Sequence, residues 1–267
     1  MQTRINDFTM AYEVAGHDLP LLLVHGFPLD KTLWEPQIED LADTARVIAP
    51  DLRGHGASDP VPGEYPMDLL ADDCVALLDE LHIENPVVVC GLSMGGYIAF
   101  SFFRRYPQRT AGLILAATRA KADSPEAQAN RDKMAVKAQE QGAAAIAGDL
   151  LPKILSPHTL TTNPALVERV KHMMANTSVQ GIKGALMGMK SRPDSSPTLS
   201  EIDVPVVILH GEDDQIIPLQ EAHDMQAAIQ GAQLHVLPQA GHLLNLEQPE
   251  MFNQAVRQFL QKLNHGI

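Results

Sequence analysis

The chain has 267 residues, 45% of them hydrophobic, and a formal net charge of −13. That length and apolar content can bury one large core with room for a small inserted subdomain. The acidic balance repels polyanions, which argues against nucleic acid and against an anionic membrane surface as partners.

In chain order, residues 2–5 and 9–14 alternate around Asn6 and Asp7, which predicts a two-stranded hairpin. The continuous apolar run Leu21-Leu22-Leu23-Val24 predicts a strand covered on both faces. Residues 32–41 read as a helix and 46–50 as a short strand. Over 68–81, Leu70, Cys74, Leu77, Leu78 and Leu81 fall on one helical stripe. A β-rich run at 86–90 leads into Gly91-Leu92-Ser93-Met94-Gly95-Gly96, and an apolar helical run follows at 97–106. Strands are predicted again at 113–116, 204–209 and 234–237, with helices at 219–229 and after Pro249, where Phe252, Val256, Phe259, Leu260 and Leu263 share a face. Strands alternating with helices imply βαβ crossovers, hence a mostly parallel sheet with helices on both faces.

Residues 119–200 differ. They are Ala-rich, carry no strand pattern and are interrupted by Pro125, Pro152, Pro157, Pro164 and Pro193. About four helices are predicted there, inserted as a cap between two strands of a core made by residues 1–118 and 201–267. The segment holds 11 Lys and Arg against 7 Asp and Glu, so it is basic on an acidic body. Solvated helix faces account for such a bias, and so does attraction of anionic substrates. Met134, Met173, Met174, Met187 and Met189 are candidates either for the cap's own core or for an adaptable acyl pocket.

The first residues lack a basic segment followed by an apolar stretch, so no secretory signal is expected, and no apolar run approaches the roughly 18 residues of a membrane span. Cys74 and Cys90 suit buried free thiols in a reducing compartment, for which bacterial cytoplasm is the expectation. No metal-ligand spacing and no dinucleotide fingerprint occurs, so no cofactor is expected.

Ser93 stands between a strand and a helix with Gly91 and Gly95 two residues to either side. A serine hydroxyl is a poor nucleophile unless a sharp turn lifts it from the sheet and a base takes its proton, and this pattern supplies such a turn. His25-Gly26-Phe27-Pro28, His210-Gly211-Glu212-Asp213-Asp214 and Ala240-Gly241-His242 each follow a predicted strand. In a parallel sheet those strand ends share one rim, where ligands bind. Of the histidines, only His242 follows the last strand in a glycine-bearing loop; His25, His55 and His210 read as loop support.

From the opening hairpin to the final helix the chain resembles the α/β-hydrolase superfamily. The resemblance is carried by the segment around Ser93, the Ser-Asp-His order, and the block Asp51-Leu52-Arg53-Gly54-His55-Gly56-Ala57-Ser58-Asp59. Within it the chain is similar to capped enol-lactonases of aromatic-acid breakdown and to the esterase and perhydrolase group that opens with His-Gly-Phe/Trp-Pro-Leu. The resemblance implies an eight-stranded, mostly parallel sheet and a cofactor-independent serine hydrolase of small-molecule esters or lactones. It implies Ser93 as nucleophile, His242 as general base and, three residues after the strand-end glycine, Asp214 as the acid rather than its neighbours Glu212 and Asp213. Backbone N–H groups of Phe27 and Met94 are the implied oxyanion hole. Trp34, Met134 and Met187 are candidates for the substrate pocket, Trp34 also for plain core packing. Besides an esterase, the sequence fits an enol-lactonase acting on an acidic lactone, or a slow-turnover receptor that keeps the same three residues.

Overall fold

Short runs of β-branched and leucine side chains with no polar face must be covered on both sides, and they set the centre of the molecule. In the computed structural model, which describes residues 1–265, the strands are β1 (Gln2–Ile5), β2 (Phe8–Ala15), β3 (Pro20–Val24), β4 (Arg46–Pro50), β5 (Val87–Leu92), β6 (Thr110–Ala116), β7 (Val206–Gly211) and β8 (Gln233–Leu237). Residues 266 and 267, the last two of the predicted core segment, lie outside the described residues. The eight strands form one sheet in the order β1-β2-β4-β3-β5-β6-β7-β8. Only β1 with β2 and β2 with β4 pair antiparallel; the rest are parallel.

The two-residue period of the strands divides the core. Leu22, Val24, Val87, Val89, Leu113 and Leu115 face one layer, formed with α2 (Met67–Glu80), α3 (Met94–Arg105) and α10 (Leu219–Ala228). Leu21, Leu23, Val88, Cys90 and Ile114 face the other, where α1 (Glu35–Leu41) and α12 (Pro249–His265) pack. Each such Leu or Val, fully buried, contributes about 1.5–3 kcal/mol relative to an exposed position. Because both faces are covered, the strand ends are the remaining place to build a site.

Between β6 and β7 the chain makes six helices: α4 (Pro125–Gln141), α5 (Ala143–Ile154), α6 (Pro157–Thr162), α7 (Pro164–Ala175), α8 (Val179–Ser191) and α9 (Ser196–Leu199). This corrects the expected four. Pro125, Pro157 and Pro164 open helices, each after a capping side chain (Ser124, Ser156, Asn163), so these prolines mark starts where the sequence reading saw interruptions. At the foot of the segment Arg119, Arg131 and Arg192 converge on the buried carboxylate of Asp123. Burial alone would raise that carboxyl, but the guanidiniums of Arg131 and Arg192 outweigh it and hold it below the ordinary carboxylate range. Lys121, Lys137, Arg169, Lys171 and Lys190 pair with other carboxylates. Most of the segment's positive charge is therefore neutralised locally. No helix among the described residues is long and apolar enough to cross a membrane.

Candidate active site

The turn at Ser93 is built by close backbone approach. Ser93 holds φ 55° and ψ −111°, a left-handed conformation that costs a non-glycine residue about 1–3 kcal/mol and that surrounding structure must enforce. A Cβ on Gly91 would fall 2.1 Å from the Gly95 carbonyl oxygen, and one on Gly95 would fall 2.1 Å from that of Val24. Only glycine lets β5, α3 and β3 meet this tightly. Four hydrogen bonds then fix the serine's backbone: its N–H donates to Ala116 O (2.9 Å), and its carbonyl accepts from Gly96 N (2.9 Å), from Thr118 Oγ1 (2.8 Å) and, more weakly, from Tyr97 N (3.4 Å).

The rim continues from β5 to β8 through backbone bonds. Ala117 N donates to Leu209 O (2.9 Å), Glu212 N to Leu237 O (2.9 Å) and Asp213 N to Ala240 O (2.8 Å). Ser93, the loop after β7 and the loop after β8 thus stand on one edge of the sheet. On it His242 Nδ1–H donates to Asp214 Oδ2 at 2.8 Å, both side chains being almost wholly buried. Asp214 Oδ1 accepts from Ile216 N (2.8 Å) and Ile217 N (3.0 Å). Burial would push the Asp214 carboxyl up, but the His242 ring and the amides of Ile217 and Ile216 prevail and keep it below the usual carboxylate range. Of the three adjacent acids, Asp214 is the one joined to His242; Glu212 is exposed. A Ser93–His242 hydrogen bond is not among the contacts of the described residues. Such bonds often close only in the substrate complex.

The backbone N–H groups of Phe27 and Met94 have no acceptor among the described residues. Met94 opens α3, so its amide lies at the positive end of a helix dipole. A Cβ on Gly26 would sit 3.3 Å from Ser93 Cβ, which places the 26–27 backbone against the serine turn. Phe27, Met134 and Met187 lie half-buried against the same apolar layer as Met94. Trp34 does not join them. A 3-10 turn (Lys31–Trp34) directs it inward, fully buried and in the opposite layer, its ring 6.0 Å from that of Phe252. It is a packing residue, and Met173 and Met174 are buried in that layer as well.

His25, His55 and His210 are buried near this rim. His25 Nε2 accepts from Leu52 N (3.0 Å), so Nδ1 carries the proton and donates to Gly26 O (2.8 Å). His210 Nε2–H donates to Ile217 O at 3.0 Å, closing the loop that supplies two amides to Asp214. Burial lowers all three, His55 to about 3 with His25 beside it as the next cause. In the unfolded chain they protonate near the ordinary value of about 6.5. Their contribution is therefore complete above that pH and is lost as pH falls below it, at up to about 1.4 kcal/mol per unit per group. The urea midpoint is expected to drop from pH 7 to pH 5, before carboxylates titrate. A midpoint constant over that interval contradicts the assignment.

Two supports were not found from sequence. Thr118 holds the serine carbonyl, and Glu247 accepts from Gly241 N (2.9 Å), next to His242. Both act on backbone atoms, which a residue pattern does not display. No group of three or more His, Cys, Asp or Glu side chains among the described residues could hold a metal ion.

A family model described as alpha/beta hydrolase fold matches residues 20–249. The chain is 31% identical to 3-oxoadipate enol-lactonase 2 of Acinetobacter baylyi over 260 residues, 97% of this chain and 95% of the relative. Among solved structures it is similar to a malate-bound thermophilic esterase from Thermogutta terrifontis (41% identity, TM-score 0.96, 98% of this chain and 99% of that one). It is also similar to the enol-lactonase from Burkholderia xenovorans LB400 (28% identity, TM-score 0.91, 98% of this chain and 100% of that one).

Proposed function

The chain belongs to the α/β-hydrolase fold family, and from that premise we propose that it is a carboxylic ester hydrolase working through Ser93, His242 and Asp214 by way of an acyl-enzyme. The observation that carries this reading is the buried 2.8 Å His242–Asp214 pair on the sheet edge that also presents the Ser93 turn. His242 takes the hydroxyl proton as Ser93 Oγ attacks the ester carbonyl, and Asp214 stabilises the imidazolium that forms. The amides of Phe27 and Met94 receive the charge on the carbonyl oxygen. The proton passes to the leaving alcohol, and a water activated by His242 then releases the acid.

The helical segment 119–200 serves in this reading as a cap, with Phe27, Met134 and Met187 bordering the acyl site. Its cations are mostly engaged with carboxylates; of the three with no such partner among the described residues, Lys133 and Lys153 are exposed and half-buried Lys183 donates to Gln139 Oε1 (2.8 Å). An apolar border without a free buried cation favours a neutral ester, since a substrate carboxylate loses hydration there and gains no ion pair. Two buried free thiols, both pushed up by burial, fit a reducing cytoplasm.

The similarity to two enol-lactonases, and the dicarboxylate malate bound to the esterase, favour an acidic lactone as the second reading. Comparing kcat/KM for neutral aryl esters of short acids with that for carboxylate-bearing lactones separates the two. The neutral esters are expected to win by at least about tenfold, roughly the discrimination that 1.4 kcal/mol of unpaired charge imposes. The reverse order establishes the lactonase. Sustained turnover after the acyl-enzyme burst excludes a slow-turnover receptor.

A further inference from the structure

The loop that carries His242 is fastened to the helical segment as well as to the sheet. Glu247, the last residue of α11 (Leu244–Glu247), divides its carboxylate between two backbone amides that are distant in sequence. Oε1 accepts from Gly241 N at 2.9 Å, and Oε2 accepts from Ser156 N at 2.8 Å, in the junction between α5 and α6. Further bonds cross the same seam. The His242 and Leu243 amides both donate to Ile154 O (3.1 and 3.3 Å), and Ser156 Oγ donates to Gln239 O (3.0 Å). The approach is close, because a Cβ on Gly241 would fall 2.6 Å from Ser156 N.

We propose that Glu247 is a positioning residue, tying the His242 loop to the α5–α6 junction so that the helical segment over the site helps to set where the base stands. The proposal rests on the reading of His242 as general base. A carboxylate suits the task because each oxygen accepts one amide, and no neutral side chain of that length offers two acceptor oxygens. Asp214 fixes the tilt of the imidazole through Nδ1, whereas Glu247 fixes the height of its backbone above the sheet. A ligand that shifts the α5–α6 junction thereby shifts the base. Coupling of binding to catalysis then follows from a few backbone hydrogen bonds.

The test is Glu247→Gln, with Glu247→Ala and His242→Ala in parallel on the full chain and a neutral aryl ester as substrate. Gln keeps the shape but turns an NH2 toward one of the two amides, so half the tie is lost. Expected for Glu247→Gln is a loss of about tenfold in kcat, KM within about twofold, since small displacements of a reacting group are costly in rate. The downfield proton resonance of the His242 Nδ1–H, assigned by its absence from His242→Ala, is expected to shift or broaden. Unchanged kcat overturns the proposal, and so does a lowered kcat with an unmoved resonance, which marks a structural role. Because Glu247→Ala can fail to fold, the Gln variant decides. If His242→Ala retains activity, the general-base reading fails, and that outcome is distinct from a fully active Glu247→Gln.

Discussion

Ser93→Ala is expected to lower kcat on a neutral ester by about 10⁴ to 10⁶-fold, the range seen when a hydrolase loses its nucleophilic oxygen and retains only its oxyanion donors and binding surface. The fold should not change with it. The bonds that hold the turn, with Ala116 O, Gly96 N, Tyr97 N and Thr118 Oγ1, all meet the serine's backbone, so alanine keeps each of them. Its Cβ tolerates the φ of 55° no worse than serine's, and the melting temperature is expected to stay within about 2 °C, a change of no more than about 1 kcal/mol. Rate and stability should therefore part company. A phosphonate or sulfonyl fluoride is expected to add one adduct to the wild type, mapped by peptide mass to Ser93, and none to the variant. An adduct on another residue, or a variant that still turns over at a comparable rate, removes Ser93 from the mechanism.

The reason so much of the sheet was legible is that its strands carry their environment in their composition. Leu21 to Val24 and Val87 to Cys90 have no polar position to face water, and both are buried at every residue. Ser93 was legible because its turn needs glycines at two places, a demand visible in sequence. Asp214 was not separable from Glu212 and Asp213 on composition, and the resemblance to a family had to select it. The structure supplies the physical ground, since only Asp214 reaches His242 while the next amides along the chain hold its other oxygen. The helix count over 119–200 was misjudged because a proline reads alike whether it ends one helix or begins the next. Trp34 was ambiguous because an aromatic after a turn points inward or outward according to a 3-10 geometry that the residue types do not state. Glu247 and Thr118 stayed hidden because their partners are backbone amides and a carbonyl up to 91 positions away, set by the fold and not by residue identity.

Asp214→Asn is expected to cost about 10⁴-fold in kcat, although it changes one atom, because it reverses the tautomer of the base. Asp214 Oδ1 accepts two backbone amides, from Ile216 and Ile217, and these do not move. An asparagine must therefore place its carbonyl oxygen there and turn its NH2 toward His242, where the carboxylate now accepts the Nδ1–H bond at 2.8 Å. To meet a donor, Nδ1 must become the acceptor, which puts the ring proton on Nε2. In the proposed mechanism Nε2 takes the Ser93 proton; already protonated, it then cannot, and no charge remains to stabilise an imidazolium. KM should move little, since no contact to substrate is altered. Asp213→Asn and Glu212→Gln serve as controls and are expected to stay within about threefold of wild type, a difference under 1 kcal/mol. The argument also orders the variants. Asp214→Ala leaves the ring free to take either tautomer, so it should retain more activity than Asp214→Asn at neutral pH. Should Asp214→Asn prove the more active of the two, the fixed amides of Ile216 and Ile217 are not what orients this side chain.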